Sequence, residues 1–395
     1  MKIAFITDMD LRGSGYLNLS APLCNGLVER GHEIKVAGLG YLGQEHWHKF
    51  SIIPAQNLQE AHAIILNLNN MWKFDVLIVA LDIPLHERFL QLFKGRQFKY
   101  IGIMPIEADP LCFSWAMVLM EMNKVFIISE FGTQEAKKAG IDAEHLQIGI
   151  DTSSWKQPTE EEREKLRENF GFSEDTFVVL TVADNQERKN LARAMEIFAD
   201  FSKDKDAKYI MVTREHNRVG WKLRDYAQEL GINNNFMIFE RGMPFKELWS
   251  MYAVSNAFLL PSKAEGLGMP LLEAMAIGLP CLGTNCTAIA EVLGEDRGLL
   301  IEPDYVYRDP FGNGKRYLAS REDGTKKLEL LYAQEFDTIP ARNYAENRKW
   351  EITIDQLEKA LLAATSESIN SDPTLYVSNQ PITEELVSPG TPDLS

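Results

Sequence analysis

In the stretch AEGLGMPLLEAMAIGLP, Ala264 to Pro280, two carboxylates stand eight residues apart. Glu265 falls in a glycine-rich turn and Glu273 inside what reads as a short helix. The apolar run NAFLLP before them, Asn256 to Pro261, reads as a buried strand, and Gly266 and Gly268 let the backbone turn tightly and approach a ligand closely. Pro270 suits the first position of a helix, where no N–H is needed, and Gly278 with Pro280 stops it. The pattern is strand, glycine loop, helix N-terminus, and the unpaired N–H groups of such a helix start attract phosphate. A carboxylate beside a phosphate is repelled unless it has donors of its own, and sugar hydroxyls are suitable donors. On these residues alone a second reading has equal standing, with Glu273 an acid favoured by the helix macrodipole and Glu265 a solvated loop residue.

A second anion signal lies in VADNQERKNLARAMEIF, where a strand ends near Ala183 and a helix opens near Asn190 with Leu191, Met195 and Phe198 on one face. Arg188 and Lys189 stand at its start. Cations there oppose the macrodipole, at a cost of a few tenths of a kcal/mol, roughly, at an exposed site, unless an anion lies between them. Both side chains pointing into water is the alternative. The pairing of the two loops decides between them: both lie at strand C-terminal ends of one domain, and together they form a diphosphate cradle with hydroxyl-binding carboxylates beside it.

The elements that must position these groups alternate. KIAFITD, EIKVAGL, DVLIVAL, KYIGIMP and KVFIIS read as strands trailed by helices, and after the charged run PTEEEREKLRENFGF a new series begins with TFVVLTVAD, KYIMVTRE, NFMIFER, AFLLPS and PCLGTN. Strands this apolar imply parallel sheets covered on both faces. A chain of 395 residues also exceeds the size at which one core keeps growing. The expectation is an α/β protein of two doubly wound domains, 1–155 and 156–338, with ligands in the cleft outside the carboxyl ends of their strands. A hairpin insertion is expected at about 305–320, helices over 339–364 returning to the first domain, and a disordered tail over 365–395.

Composition excludes several classes. The net charge is −16, of which the last thirty residues carry −5, leaving −11 on the rest, and that disfavours binding along a nucleic-acid backbone. No apolar run approaches the ~20 residues of a membrane span, and MKIAFITDMD has acids where a signal peptide has its cleavage region, so a cytoplasmic location is expected. Cys24, Cys112, Cys281 and Cys286 lack CxxC spacing and read as reduced, structural thiols.

PSKAEGLGMPLLEAMAIGLPCLGTN resembles the E-x7-E signature of the retaining glycosyltransferases of family 4, which have the two-domain GT-B fold. MKIAFITD with the Gly13-Ser14-Gly15 loop, LVERGHEIKV, ISEFGTQEAKKAGI, IGIDTSSW and LWSMYAVSNAFLLPS resemble further landmarks of that family in the expected order. The resemblance implies that Glu265 contacts the donor sugar and Glu273 the ribose hydroxyls. Backbone amides of Gly266, Leu267, Gly268 and Met269 would face the sugar and diphosphate, Arg188 and Lys189 would hold the diphosphate, and the loop at Gly15 would close on it from the other domain. It also implies a nucleoside-diphosphate sugar as donor, a hydroxyl acceptor and no metal. Three features depart from the family. TVAD stands where the family often has an arginine before its lysine, the loop IMPIEADP offers Glu107 and Asp109 where many members have a histidine, and the hairpin around Asn313 is unusual.

Asp8 and Asp10 in DMD resemble a D-x-D metal motif, but the basic pair already serves a leaving diphosphate. His46 and His48 have no third ligand at convincing spacing. HERFLQLFKGRQFKY is basic and aromatic, as on membrane-docking faces, and reads better as an ordinary helix entering a strand, so peripheral membrane contact stays open. The functional expectation is a retaining glycosyltransferase. An epimerase-like enzyme acting on nucleotide sugars without an acceptor and a non-catalytic nucleotide-sugar-binding module are the rivals.

Overall fold

The computed structural model describes residues 1–10, 14–107, 109–217, 220–334 and 336–366. Seven parallel strands form one sheet: β1 (Lys2–Asp8), β2 (Glu33–Leu39), β3 (Ser51–Ala55), β4 (Val76–Ala80), β5 (Lys99–Met104), β6 (Lys124–Ile127) and β7 (Ala143–His145), in the order β3-β2-β1-β4-β5-β6-β7. Six more form a second: β8 (Phe177–Val182), β9 (Ala207–Thr213), β10 (Phe236–Glu240), β11 (Ala257–Leu260), β12 (Cys281–Thr284) and β13 (Leu299–Ile301), in the order β10-β9-β8-β11-β12-β13. Every residue of β4 (VLIVA) and β8 (FVVLTV) is buried, because crossover helices cover both faces. The fold is thus α/β with two doubly wound sheets. β3 and β7 are absent from the sequence-based reading: β3 is an edge strand of mostly exposed or half-buried residues that accommodates Pro54, and β7 has three residues.

In each sheet the strand order reverses once, between β1 and β4 and between β8 and β11. At such a switch point neighbouring loops leave in opposite directions and open a crevice at the strand C-terminal ends. The loops carrying the candidate residues leave from these strands.

Two further pieces tie the halves together. β14 (Pro303–Arg308) and β15 (Lys315–Ala319) form an antiparallel hairpin. The final helix, Trp350–Ser366, lies against helix Gly15–Glu29, so closely that a Cβ on Gly26 would stand 2.1 Å from Ile354 Cδ1. Arg30 and His32 reach Glu358 at 2.8 and 2.7 Å across the same contact. Thr365 and Ser366 belong to this helix, which corrects the tail boundary expected at 365; the remainder of the expected tail, 367–395, lies outside the described residues. Among the described residues no helix is long and apolar enough to cross a membrane.

Candidate functional site

β8 ends at Val182, and a single 3-10 turn, Glu187–Lys189, precedes helix Leu191–Phe201. Asn190 joins them with φ 55°, a left-handed conformation that asparagine tolerates better than most residues, and its amide donates to the Pro261 carbonyl at 3.1 Å. Lys263 N–H donates to the Arg188 carbonyl at 2.8 Å. The loop after β8 is thereby fastened to the loop after β11, as the switch point requires.

Those bonds bring Arg188 and Lys189 onto Glu265. Lys189 Nζ lies 2.6 and 2.8 Å from the two carboxylate oxygens, and Arg188 Nη1 donates to Glu265 Oε2 at 3.1 Å and to the Ala264 carbonyl at 2.7 Å. Glu265 is only 4% exposed, so it is not a solvated loop residue. Burial works against its charge, but the fields of Lys189 and Arg188 and the Lys189 hydrogen bonds outweigh that and hold its carboxyl at about 2. Its own N–H donates to Thr287 Oγ1 at 2.9 Å, and Thr287 has φ 45°, a strained value for a β-branched residue. Thr287 is a supporting residue that sequence reasoning missed, for no local pattern announces a positive φ at threonine.

Past Glu265 the chain turns through Gly266 and through Gly268, whose φ of 84° suits glycine, into helix Met269–Ala276. Leu267 is buried, so it offers a ligand its backbone rather than its side chain. Gly268 caps the helix; Pro270 has no N–H and Leu271 N–H donates to the Gly268 carbonyl at 2.9 Å, so of the first three helical residues Met269 is the one whose amide can turn to a ligand. A Cβ on Gly266 would fall 2.3 Å from Pro105 Cβ, so this glycine loop touches the loop after β5.

Glu273 is buried, on the next turn of that helix, without a salt-bridge partner among the described residues. It accepts from Tyr252 Oη at 2.6 Å. Burial pushes its carboxyl up, opposed by the tyrosine bond and by Arg241. Tyr252 lies in the LWSMYAVSNAFLLPS stretch but carried no assigned role in the sequence-based reading.

The first sheet faces this cluster with loops from its own switch-point strands, β1 and β4, and from the adjacent β5. Gly15 opens helix Gly15–Glu29, capped by Ser14 Oγ, and a Cβ there would meet nothing within 4 Å. Gly13 lies outside the described residues. Tyr16 Oη donates to Asp82 Oδ1, after β4, at 2.6 Å. Glu107, after β5, meets Arg188 Nη2 at 3.1 Å. Burial raises the Glu107 carboxyl, with Arg188 opposing and Asp82 and Glu265 adding to the rise. Two cations from one domain are thus shared among carboxylates from both.

Asp184 ends the TVAD stretch where the family often has an arginine. It lies 3.3 Å from Arg214 Nε and 4.0 Å from Arg241 Nη1, so two arginines from the ends of β9 and β10 converge there instead. Asp8 Oδ1 accepts from the Asp10 N–H at 2.9 Å, and His46 stacks on Phe50 with His48 tilted against it. Among the described residues no three His, Cys, Asp or Glu side chains are grouped to hold a metal.

Residues 162–307 match the family model described as Glycosyl transferases group 1. Over 129 residues the chain is 29% identical to the O-antigen chain mannosyltransferase B of Escherichia coli, an alignment covering 32% of this chain and 33% of that protein. The chain therefore spans about a third of that relative's length. A glycosyltransferase from Rickettsia africae superposes with a TM-score of 0.72 at 16% identity, covering 93% of this chain and 99% of the other. Anabaena HepE, solved with UDP-glucose, does so at 0.73 and 14%, covering 92% and 100%. The chain has the GT-B fold, and the stretch that resembles the glycosyl transferases group 1 model includes its second sheet and the loops around Glu265.

Proposed function

We propose that the protein is a retaining glycosyltransferase that moves a hexosyl group from a nucleoside-diphosphate sugar to a hydroxyl acceptor, in the cytoplasm and without a metal ion. The observation that carries this reading is the convergence of Arg188, Lys189 and Glu265 at the switch point of the second sheet, beside the N-terminus of helix Met269–Ala276. Arg188, Lys189 and the amides of Gly266 to Met269 take the diphosphate, Glu265 faces the sugar, Glu273 takes the ribose hydroxyls, and the loop at Gly15 closes from the opposite domain. Breaking the anomeric C–O bond yields an oxocarbenium-like sugar and a diphosphate leaving group. Positive charge already fixed at that group removes several kcal/mol from the barrier, about 3–4 per strong donor. The mannosyltransferase relatives, one of them named as GDP-mannose-dependent, and the fold neighbour solved with UDP-glucose make GDP- and UDP-sugars the first donors to test.

Product analysis with labelled donor checks the reading, including the anomeric configuration of the product. Label in a glycoside of unchanged configuration supports it. An isomerised donor would identify an epimerase-like enzyme, and an untouched donor a binding module. Transfer should survive EDTA; loss of activity restored by Mg2+ or Mn2+ would remove the diphosphate role from Arg188 and Lys189.

A further inference from the structure

Glu107 is held in two independent ways. Its backbone segment is pinned by the hairpin: Lys315 N–H donates to the Asp109 carbonyl at 2.9 Å, Tyr317 Oη to Asp109 Oδ1 at 3.0 Å, and Arg316 Nη1 to the Glu107 carbonyl at 3.3 Å. Lys315 Nζ adds an ion pair with Asp109 at 3.2 Å, and Phe311 packs edge-on against Trp115 with ring centroids 5.0 Å apart. Its carboxylate, by contrast, has Arg188 as its ion-pair partner, at 3.1 Å. Arg188 also serves Glu265, which has Lys189 besides.

Resting on the reading of Arg188 as a diphosphate-binding residue, we propose that Glu107 is the carboxylate that positions the acceptor hydroxyl, and that it is freed for this task when the donor diphosphate draws Arg188 away. A diphosphate offers more charge and more acceptor oxygens to the guanidinium than a carboxylate does. Glu265 keeps Lys189 in direct contact, at 2.6 and 2.8 Å, while that ammonium also faces the diphosphate. Glu107 has no second ion pair among the described residues, and a half-buried carboxylate that loses its direct cation binds the nearest strong donor. Gly266 and Pro105 touch, so the segment bearing Glu107 borders the loop assigned to the donor sugar, and a hydroxyl there lies beside the reacting centre. The hairpin keeps the segment in place through the exchange, since its bonds run to Asp109 and to the Glu107 backbone rather than to the side chain that changes partner. Donor therefore binds before acceptor.

The test uses the full chain, UDP and GDP as probes of the diphosphate site, and hydrolysis of UDP-glucose or GDP-mannose with water as the hydroxyl. In Glu107→Gln, Arg188 is no longer shared, so the nucleoside diphosphate should bind about three- to fivefold more tightly, the scale of one partly exposed ion pair. The donor KM should fall with it while kcat for hydrolysis also falls. A merely structural loss raises KM instead. Unchanged or weaker nucleotide binding in a folded Glu107→Gln variant overturns the proposal, as does an unchanged kcat. Wild-type protein that binds neither nucleotide overturns the diphosphate role of Arg188 itself, which is a separate failure.

Discussion

Glu265 and Glu273 lie on the same loop and helix, both buried, and their surroundings are opposite. Around Glu265 two cations from the loop after β8 close within 3.1 Å and hold the carboxyl at about 2. Around Glu273 the nearest partner is a phenol, and burial pushes the carboxyl up. The contrast shows that ionisation here is set by what other strands deliver, not by position on the helix. A carboxylate clamped between cations has a fixed charge and suits a site where positive character develops on a sugar. One held only by a tyrosine hydroxyl keeps lone pairs for hydroxyl donors and is destabilising until they arrive.

The severest way to break the comparison is Glu265→Ala, which takes from Lys189 its hydrogen-bonded carboxylate and leaves Arg188 with Glu107 alone as ion-pair partner. The carboxyl is held from the ordinary 4.5 down to about 2, so its charge contributes roughly 3 kcal/mol at neutral pH. That contribution is fully present above 4.5 and is lost as pH falls through about 2. The melting temperature of the variant should therefore lie well below wild type at pH 7, with the gap narrowing in acid; a gap independent of pH would show that Glu265 stabilises by packing alone.

Lys189→Ala tests the cation side with less damage to the fold, since Glu265 keeps Arg188. Under the proposed function the leaving group gains charge as the bond breaks, so kcat should drop by a factor corresponding to about 2.7–4 kcal/mol, with donor binding weakened less. Equal kcat in a folded variant would leave Lys189 a structural partner of Glu265.

The legibility of these two regions differed in the sequence. Arg188, Lys189 and Glu265 were readable because a glycine loop, a helix start and uncompensated cations are local patterns. The alternation of apolar runs likewise pointed to two parallel sheets. That the cations rest on Glu265 and Glu107 was not readable, since those contacts span roughly eighty residues of chain and form only when β8 and β11 pair and the sheets meet. Tyr252 and Thr287 were missed for the same reason: each matters through a partner on another element. β3 escaped because an edge strand with a proline and few buried residues lacks the apolar run that marked the others.

Glu273→Gln should separate stability from binding. The native carboxyl sits above its ordinary 4.5, so the folded state binds its proton more tightly than the unfolded one. Stability from this group is present below 4.5 and falls as pH rises through the raised value. The amide escapes that loss, so ligand-free Glu273→Gln should melt higher than wild type above the raised value and match it in acid. Its affinity for a nucleoside diphosphate should weaken by about 1.5–3 kcal/mol, the worth of hydrogen bonds to a charged group. A lower melting temperature at pH 7, by differential scanning calorimetry, would mean that Glu273 is ionised and well compensated, and the contrast with Glu265 would collapse.

The smallest effect belongs to Tyr252→Phe, and it sharpens the contrast most. The ring packs edge-on against Trp155 and stacks on Phe258, contacts the substitution keeps, so what is removed is the hydroxyl that donates to Glu273. One such bond is worth about 0.5–1.5 kcal/mol. Because that bond opposes the effect of burial, its loss moves the Glu273 carboxyl further up. On acidification, nucleotide affinity in Tyr252→Phe should then begin to fall at a higher pH than in wild type, as Glu273 takes its proton sooner. In a Glu273→Gln background no titrating carboxyl remains, and Tyr252→Phe should leave the pH profile of binding unchanged. Calorimetric titration of the two single variants and the double variant measures this coupling. If the tyrosine substitution alters the pH profile equally in both backgrounds, the hydroxyl acts on the ligand directly and does not tune the carboxylate.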